Sequence, residues 1–393
     1  MVEVKKSAIL ILIISFVFAI SAGFEIPYLA FYTIIGGIVI SWLWCRYVSK
    51  SLIIHQKIDG NNFHVGDIIQ IQSFLDNDSL FPVPNVEIVN RTEEKITFEE
   101  PVTTLVSILP MGREIITGKL TAKYRGIHYL GPIDVEVNDA LGIFKFKRRI
   151  YSDSVIKIYP KVYDLMNFNL RSMQAYGTVT TKQKAYEDNT VVSDIRKYYP
   201  GDSIKKVHWK VSAKKGGIFV KNYEMNGSAV TNIFMDFSRD SFKGENVREL
   251  EERAVEAGAS IISYMLKNDV PVELYVNSTK LNFTKGRDIK EITKFLDVLC
   301  EVKPVGNKRM GEVLEKRIRL ISRGSSIIVI TGDIDEKDCV AYCGIKSLGY
   351  DLIVVYVSDF KVQEKVEKML SSSGIIRYDV DSKSDIKGVL ERV

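Results

Sequence analysis

Cysteine is scarce in this chain. Its 393 residues hold four, Cys45, Cys300, Cys339 and Cys343, with no CxxC pair and no histidine placed to complete a zinc site. A disulfide framework is therefore excluded as the source of stability, and a chain of this length can bury a core without one. Cys339 and Cys343 stand four apart on a predicted helix, where both face one packing surface. Histidine is as sparse: His55, His64, His128 and His208 do not cluster. A phosphate loop of the GxxxxGK type, a nucleophile elbow and an HExxH pair are all missing. So is a charge excess. The 54 basic and 49 acidic residues leave a net +5, too little to indicate a nucleic-acid partner by itself. No low-complexity run and no internal repeat is detectable.

What is present begins with apolar residues. Positions 7 to 45 carry a single charge, Glu25. Ser7 to Phe24 is an apolar run of 18 residues, near the minimum for a membrane-spanning helix. Glu25 and Pro27 interrupt it, and Tyr28 to Cys45 forms a second run. Lys5 and Lys6 precede the first run; Arg46 and Lys50 follow the second. Basic flanks favour the cytoplasmic side, so the pair is predicted to be a transmembrane hairpin with both termini inside. Trp42, Trp44 and Tyr47 suit an inner interfacial belt, and Tyr28 and Tyr32 an outer one. A cleaved signal peptide is the competing reading, and the second full-length run argues against it.

Between residues 52 and 160 the pattern changes to short alternations of apolar and polar residues, punctuated by Gly, Pro, Asn and Asp. About seven strands can be counted, which predicts an all-β, sandwich-like domain. Phe144 to Ile150 alternates aromatic and basic residues. It could set a basic face near anionic lipid, or be apolar inside and solvated outside. Residues 161 to 193 are weakly patterned and predicted to connect domains.

From Val230 onward, near-continuous Ile/Val strands alternate with helices: Val230 to Asp236, Val270 to Val276, Ser326 to Thr331, Leu352 to Ser358 and Ile375 to Val380. Val247 to Lys267 repeats its apolar residues every three or four positions, as a helix does. This pattern predicts an α/β doubly wound domain with a mostly parallel sheet. Lys280 to Gly286 reads as an antiparallel edge strand.

Two features could carry chemistry. Sites in open α/β sheets form at the carboxyl ends of strands near the topological switch point. Asp236 closes the first strand and Asp333 follows a later one, so the two carboxylates are predicted to share a crevice. Asp236, Ser238 and Asp240 alternate on the loop, and hard oxygen ligands of this kind suit Mg²⁺ or Mn²⁺. Alternatively, Asp236 and Ser238 cap the next helix. The second feature is Asp194 to Glu224, where eight basic residues interleave with Tyr198, Tyr199, Trp209, Phe219 and Tyr223. Basic plus aromatic residues could bind single-stranded nucleic acid. A structural reading is favoured: two turns, Pro200-Gly201-Asp202 and Lys215-Gly216-Gly217, clasping a buried Trp209 beside a hydrogen-bonded His208.

Within that segment Arg196, Tyr198, Pro200, Gly201, Asp202, Trp209, Lys210, Ser212 and Ala213 closely resemble the signature of a bacterial family called domain of unknown function 58. Arg125 to Phe144 is similar to the family's β-domain segment, with Ala140 where proline is usual. The resemblance implies two amino-terminal spans and a carboxyl-terminal domain like the von Willebrand factor A domain. The latter implies a metal-ion-dependent adhesion site. Asp236 and Ser238 match its pattern, Asp240 replaces a serine, and Asp333 stands at its late aspartate. The loop Val305 to Glu312 lacks the threonine the pattern calls for. The family has no established catalytic activity. It implies association with MoxR-type AAA+ ATPases and transglutaminase-like membrane proteins.

Four segments are thus predicted: a transmembrane hairpin over 1–50, a β-sandwich-like domain over 51–160, the signature segment and linker over 161–228, and an A-like α/β domain over 229–393. The favoured function is a membrane-anchored cytoplasmic adaptor that binds protein partners. The alternatives are a metal-dependent hydrolase using Asp236, Asp240 and Asp333, and a binder of anionic surfaces or nucleic acid through the basic segment.

Overall fold

The structure, a computed structural model, describes residues 2–60, 62–90, 96–98, 103–139, 141–151, 154–168, 192–199, 202, 206–223, 230–322 and 325–392. The chain divides into two compact units, 1–160 and 161–393.

The first unit opens with β1 (Val2–Val4) and two helices, α1 (Lys6–Ala22) and α2 (Glu25–Ser51). α1 stops because Gly23 takes the left-handed conformation, φ 68°, and turns its N–H back to the Ala19 carbonyl. α2 restarts two residues later and packs on α1 through the Phe16 and Phe31 rings, 5.3 Å apart. Most side chains along α1 and the first part of α2 are exposed aliphatics and aromatics. α2 is long and apolar enough to cross a membrane by length and composition; α1, at 17 residues, is shorter. At 1.5 Å per residue α1 extends about 26 Å, slightly under the ~30 Å hydrocarbon thickness of a bilayer.

The second helix is longer than the apolar run foretold. Its last turns dock on the β domain, where Cys45 and Val48 are fully buried. The Ser41 hydroxyl donates to buried Asp139, whose other carboxylate oxygen accepts the Phe144 N–H at 2.8 Å. The final carbonyls of any α-helix lack intrahelical partners. Here Arg148 supplies them, donating to the carbonyls of Ser49, Lys50 and Leu52 at 3.2, 3.2 and 3.3 Å. Leu52 then begins a strand with no intervening loop.

The β domain contains β2 (Leu52–Ile58), β3 (Phe63–His64), β4 (Ile68–Asn77), β5 (Val83–Asn90), β6 (Ile96–Phe98), β7 (Thr103–Ile108), β8 (Arg113–Ala122), β9 (Gly126–Tyr129), β10 (Ile133–Asn138), β11 (Phe144–Ile150) and β12 (Val155–Tyr159). These are eleven strands among the described residues, where alternation showed about seven. β3, β6 and β9 have only two to four residues, too few for a period of two to register. Sheet β1-β11-β10-β5-β7 and sheet β2-β4-β8-β6 share one apolar core, made of residues such as Val86, Ile88, Val135 and Val137 from the first and Leu52, Leu75 and Ile116 from the second. A second cluster, including Ile69, Leu120 and Ile158, lies between β2-β4-β8-β6 and the three-stranded sheet β3-β12-β9.

β11 is apolar inside and paired outside. Phe144 and Phe146 point inward, while Lys145 and Lys147 both reach Glu136 and Arg149 lies 2.7 Å from Asp134 on the neighbouring strand. Those charges pair across the ladder while their side chains remain part-exposed.

In the second unit, residues 161–168 pack on the α/β domain: the Tyr163 N–H donates to Ser260 Oγ at 2.9 Å, and Phe168 stacks on Tyr378. The predicted linker thus begins as docked chain; 169–191 lie outside the described residues. A small antiparallel pair follows, β13 (Val192–Lys197) and β14 (Phe219–Tyr223), with α3 (Trp209–Lys215) between them. The α/β domain comprises β15 (Thr231–Asp236), α4 (Val247–Lys267), β16 (Val272–Asn277), β17 (Leu281–Gly286), α5 (Ile292–Glu301), α6 (Met310–Arg317), β18 (Ser326–Thr331), α7 (Glu336–Ser347), β19 (Asp351–Val357), α8 (Glu364–Ser372), β20 (Ile376–Val380) and α9 (Ile386–Leu390). The sheet order is β17-β16-β15-β18-β19-β20, with β17 antiparallel at one edge and every other pairing parallel. Cys339 and Cys343 do share one face of α7, against the α8 carbonyls of Val366 and Met369.

Removing one donor to a buried carboxylate costs roughly 1–3 kcal/mol. Ser41→Ala should therefore lower the melting temperature of the purified chain. It should also speed amide exchange in the last turns of α2 before that of the sheet.

Candidate functional site

Because β16 lies on one side of β15 and β18 on the other, the sheet reverses direction at β15/β18. The carboxyl ends of these strands open onto a crevice of about 420 Å³ whose lining includes Asp236, Ser238, Asp240 and Asp333. The structure thus gathers all four predicted residues at one place. It does not make them equivalent.

Asp236 is buried at the end of a strand whose six side chains are all covered. Burial of an ionised carboxylate demands donors, and four converge on it. The Ser238 N–H and the Asn277 amide reach Oδ1, each at 3.1 Å; the Ser241 and Thr331 hydroxyls reach Oδ2 at 3.1 and 3.0 Å. Burial nonetheless pushes its carboxyl above the ordinary aspartate range, and the donors only oppose this. Asp333 lies half-exposed at the rim, where Lys243 Nζ stands 2.6 Å from its Oδ2. Asp335 pairs with Arg309. Asp338 is buried behind them, its Oδ1 accepting the Gly311 N–H at 2.9 Å, and burial raises its carboxyl too. Asp240 is exposed on the loop.

Two glycines allow this closeness. A side chain at Gly306 would sit 2.9 Å from the Asn277 carbonyl, and the Gly306 backbone bonds in turn to Phe237 and Arg239. A side chain at Gly332 would sit 2.4 Å from the Ser241 carbonyl and 2.7 Å from the Phe242 ring.

In this arrangement the carboxylates are engaged by groups of the chain itself. Asp236 is filled by hydrogen donors and Asp333 by an ammonium. Among the described residues no three His, Cys, Asp or Glu side chains converge as metal ligands would. The threonine absent from the loop after Val305 has a counterpart on the strand: Thr331, together with Ser241, Asn277 and Lys243, was not singled out from the sequence. Thr331 could have been found as the polar residue ending an apolar strand beside Asp236. The other three carry no sequence signal, since loop closure and strand pairing bring them in.

The signature segment forms a separate knob. Arg196 holds Asp202 through two hydrogen bonds of 2.7 Å, and Asp202 also accepts the Tyr199 N–H at 2.9 Å. The guanidinium is the main cause that brings the Asp202 carboxyl down to about 2. A ring nitrogen of His208 accepts the Val211 N–H and caps α3, as a structural histidine should. Ser212 Oγ accepts the Phe219 N–H at 2.9 Å, and Gly216, φ 65°, ends the helix. Tyr198 is half-buried, while Lys210 and Ala213 are exposed; Pro200 and Gly201 lie outside the described residues. The expectation for Trp209 is wrong. It is 67% exposed, not clasped between turns. α3 has only seven residues and none is buried, so its first side chain has no core to enter.

The model of a family described as "Protein of unknown function DUF58" matches residues 194–385. The match takes in both the knob and the crevice. "Uncharacterized protein YeaD" of Bacillus subtilis is 24% identical over 259 residues, 64% of this chain and 63% of that relative. Among solved structures, E. coli alpha-2-macroglobulin aligns with 29% of this chain and 7% of its own, at 11% identity and a TM-score of 0.23. The CARDB domain of a Pyrococcus furiosus protein aligns with 26% of this chain and 86% of its own, at 13% identity and a TM-score of 0.17.

Two outcomes are expected. Gly332→Ala must push Ser241 off Asp236 and should destabilise the chain by about 1–3 kcal/mol, the usual cost of overpacking. A depressed native pKa lends stability that is present above the unfolded value and lost as pH falls through the native one. The knob should therefore loosen between the ordinary aspartate range and about 2. Arg196→Ala should shift the Asp202 carboxyl titration upward by NMR.

Proposed function

We propose that this chain is a membrane-anchored adaptor whose exposed knob and strand-end crevice bind a protein partner on the cytoplasmic side. The observation that carries the reading is the exposure of Trp209. Buried tryptophan belongs to cores, but exposed tryptophan among basic residues is typical of binding hot spots. Tyr199 and Ile218 are exposed with it. The knob behind them is rigidly built, by the Arg196–Asp202 pair and the His208 and Ser212 hydrogen bonds.

In this reading α1 and α2 cross the membrane together as a hairpin. β1 pairs with β11 and α2 packs on β10 and β11, so the chain enters and leaves the helices at one domain. Lys5, Lys6, Arg46 and Lys50 favour the cytoplasm for that side. The α/β domain acts as an A-like platform, but with an ammonium, Lys243, beside Asp333 instead of a divalent cation. The crevice then recognises its partner through fixed charges and hydroxyls. A MoxR-type AAA+ ATPase is the partner class to test first, and a transglutaminase-like membrane protein the second. The basic residues around Trp209 also favour a second reading, an anionic surface as ligand, whose affinity would fall steeply with salt.

Trp209→Ala decides between scaffold and contact. A surface truncation should leave the melting temperature near that of the parent. Loss of a hot spot should cost about 2–4 kcal/mol of binding to the purified ATPase, a weakening of about thirtyfold or more. Unchanged affinity for the ATPase with a salt-sensitive loss of vesicle binding would favour the second reading.

A further inference from the structure

We infer that the loop tips at the helix-bearing end of the β domain are seated in the bilayer interface, so that the domain stands on the membrane. This rests on the reading of α1 and α2 as a membrane hairpin.

Five large apolar side chains are exposed on three connections: Leu80 and Phe81 between β4 and β5, Leu109 and Met111 between β7 and β8, and Leu141 between β10 and β11. They are 49% to 76% exposed. Strand register places all three connections at one end. Val4 pairs with Phe144, Val137 with both Phe146 and Val86, and Val83 with Ile108. β1, β5, β7, β10 and β11 therefore reach this end together, and α1 leaves from it directly after β1. α2 adjoins the same patch, since the Tyr47 ring meets the Phe81 ring edge-on at 6.0 Å.

The tips are held out, not left loose. Asn77, fully buried, donates through its side-chain amide to the carbonyls of Phe81 and Leu109 at 2.9 and 3.0 Å. Buried Ser79 accepts the Met111 N–H through its carbonyl at 3.0 Å. Met111 adopts φ 52°, a conformation that side chains other than glycine, asparagine and aspartate rarely accept. The chain thus uses buried polar residues and an unfavourable backbone conformation to present apolar side chains outward. Exposed apolar patches of this kind mark interaction surfaces. Continuity with the apolar helices selects lipid as the occupant. Lys5 and Lys6 stand beside the patch to meet anionic headgroups.

Spin labels on the full chain, reconstituted in phosphatidylcholine–phosphatidylglycerol vesicles, test this. Labels replace Phe81, Leu109, Ile13 of α1, and Tyr151 beyond the far end of β11. The background carries Cys343→Ser, since the other three cysteines are buried. Relative access to oxygen and to a water-soluble nickel chelate is read at each site. The Phe81→Cys and Leu109→Cys labels should favour oxygen as the Ile13→Cys label does, with the Tyr151→Cys label favouring nickel. Nickel-favouring loops beside an oxygen-favouring Ile13→Cys label would overturn the inference and leave the hairpin standing. A nickel-favouring Ile13→Cys label would overturn both. Loops shielded from oxygen and nickel alike would mean that protein, such as a second copy, covers them, and would also overturn it.

Discussion

A carboxylate buried at the end of a strand is the constraint around which the second unit is arranged. Asp236 cannot be taken from water without donors, and no single segment provides enough of them. One comes from the loop after β15, one from a hydroxyl three residues further on, one from the end of β16 and one from the end of β18. Satisfying this one group fixes where three strands stop relative to one another and how the loop between them folds. The crevice is the space left above that arrangement. Its rim charges, Lys243 with Asp333 and Arg309 with Asp335, are then set in place by a floor that cannot shift without stranding a buried charge.

The first unit solves a related problem at a helix end. Where α2 stops, its last carbonyls and a buried aspartate meet the face of a sheet. Arg148 and Ser41 supply the missing donors. In both units these buried carboxylates and helix-end carbonyls are held by hydrogen bonds from several segments, while apolar packing fills the rest. Register and orientation are thereby set by hydrogen bonds, and the bulk of stability by burial.

Regular periodicity was the legible part of the sequence. The six-residue strand Ser326–Thr331, the helix Val247–Lys267, the antiparallel edge strand and the aromatic–basic strand Phe144–Ile150 could all be read from spacing alone. Strands of two to four residues could not, because they are made by their neighbours rather than by their own pattern. At the crevice, Asp236 and Asp333 were legible as strand-end carboxylates. Their partners Lys243 and Asn277 were not, since Lys243 lies 90 positions from Asp333 and Asn277 41 from Asp236 in sequence. Counting oxygens in sequence suggested a cation, but gave no sign of the hydroxyls, amides and ammonium that the fold brings to these carboxylates. Trp209 misled for the opposite reason: its size argued for burial, but a seven-residue helix has no inside.

α2 passes into β2 without a connecting loop, and Arg148 fastens the joint from the side. A helix turns by about 100° and advances 1.5 Å with each residue. The number of residues between the start of α2 and Ser41 therefore sets the compass bearing of the whole β domain about the helix axis. One residue more or fewer in that stretch would swing the domain by more than a quarter turn. The length of this helix works as a dial as well as a ruler, and what it dials is the direction in which the sheets face.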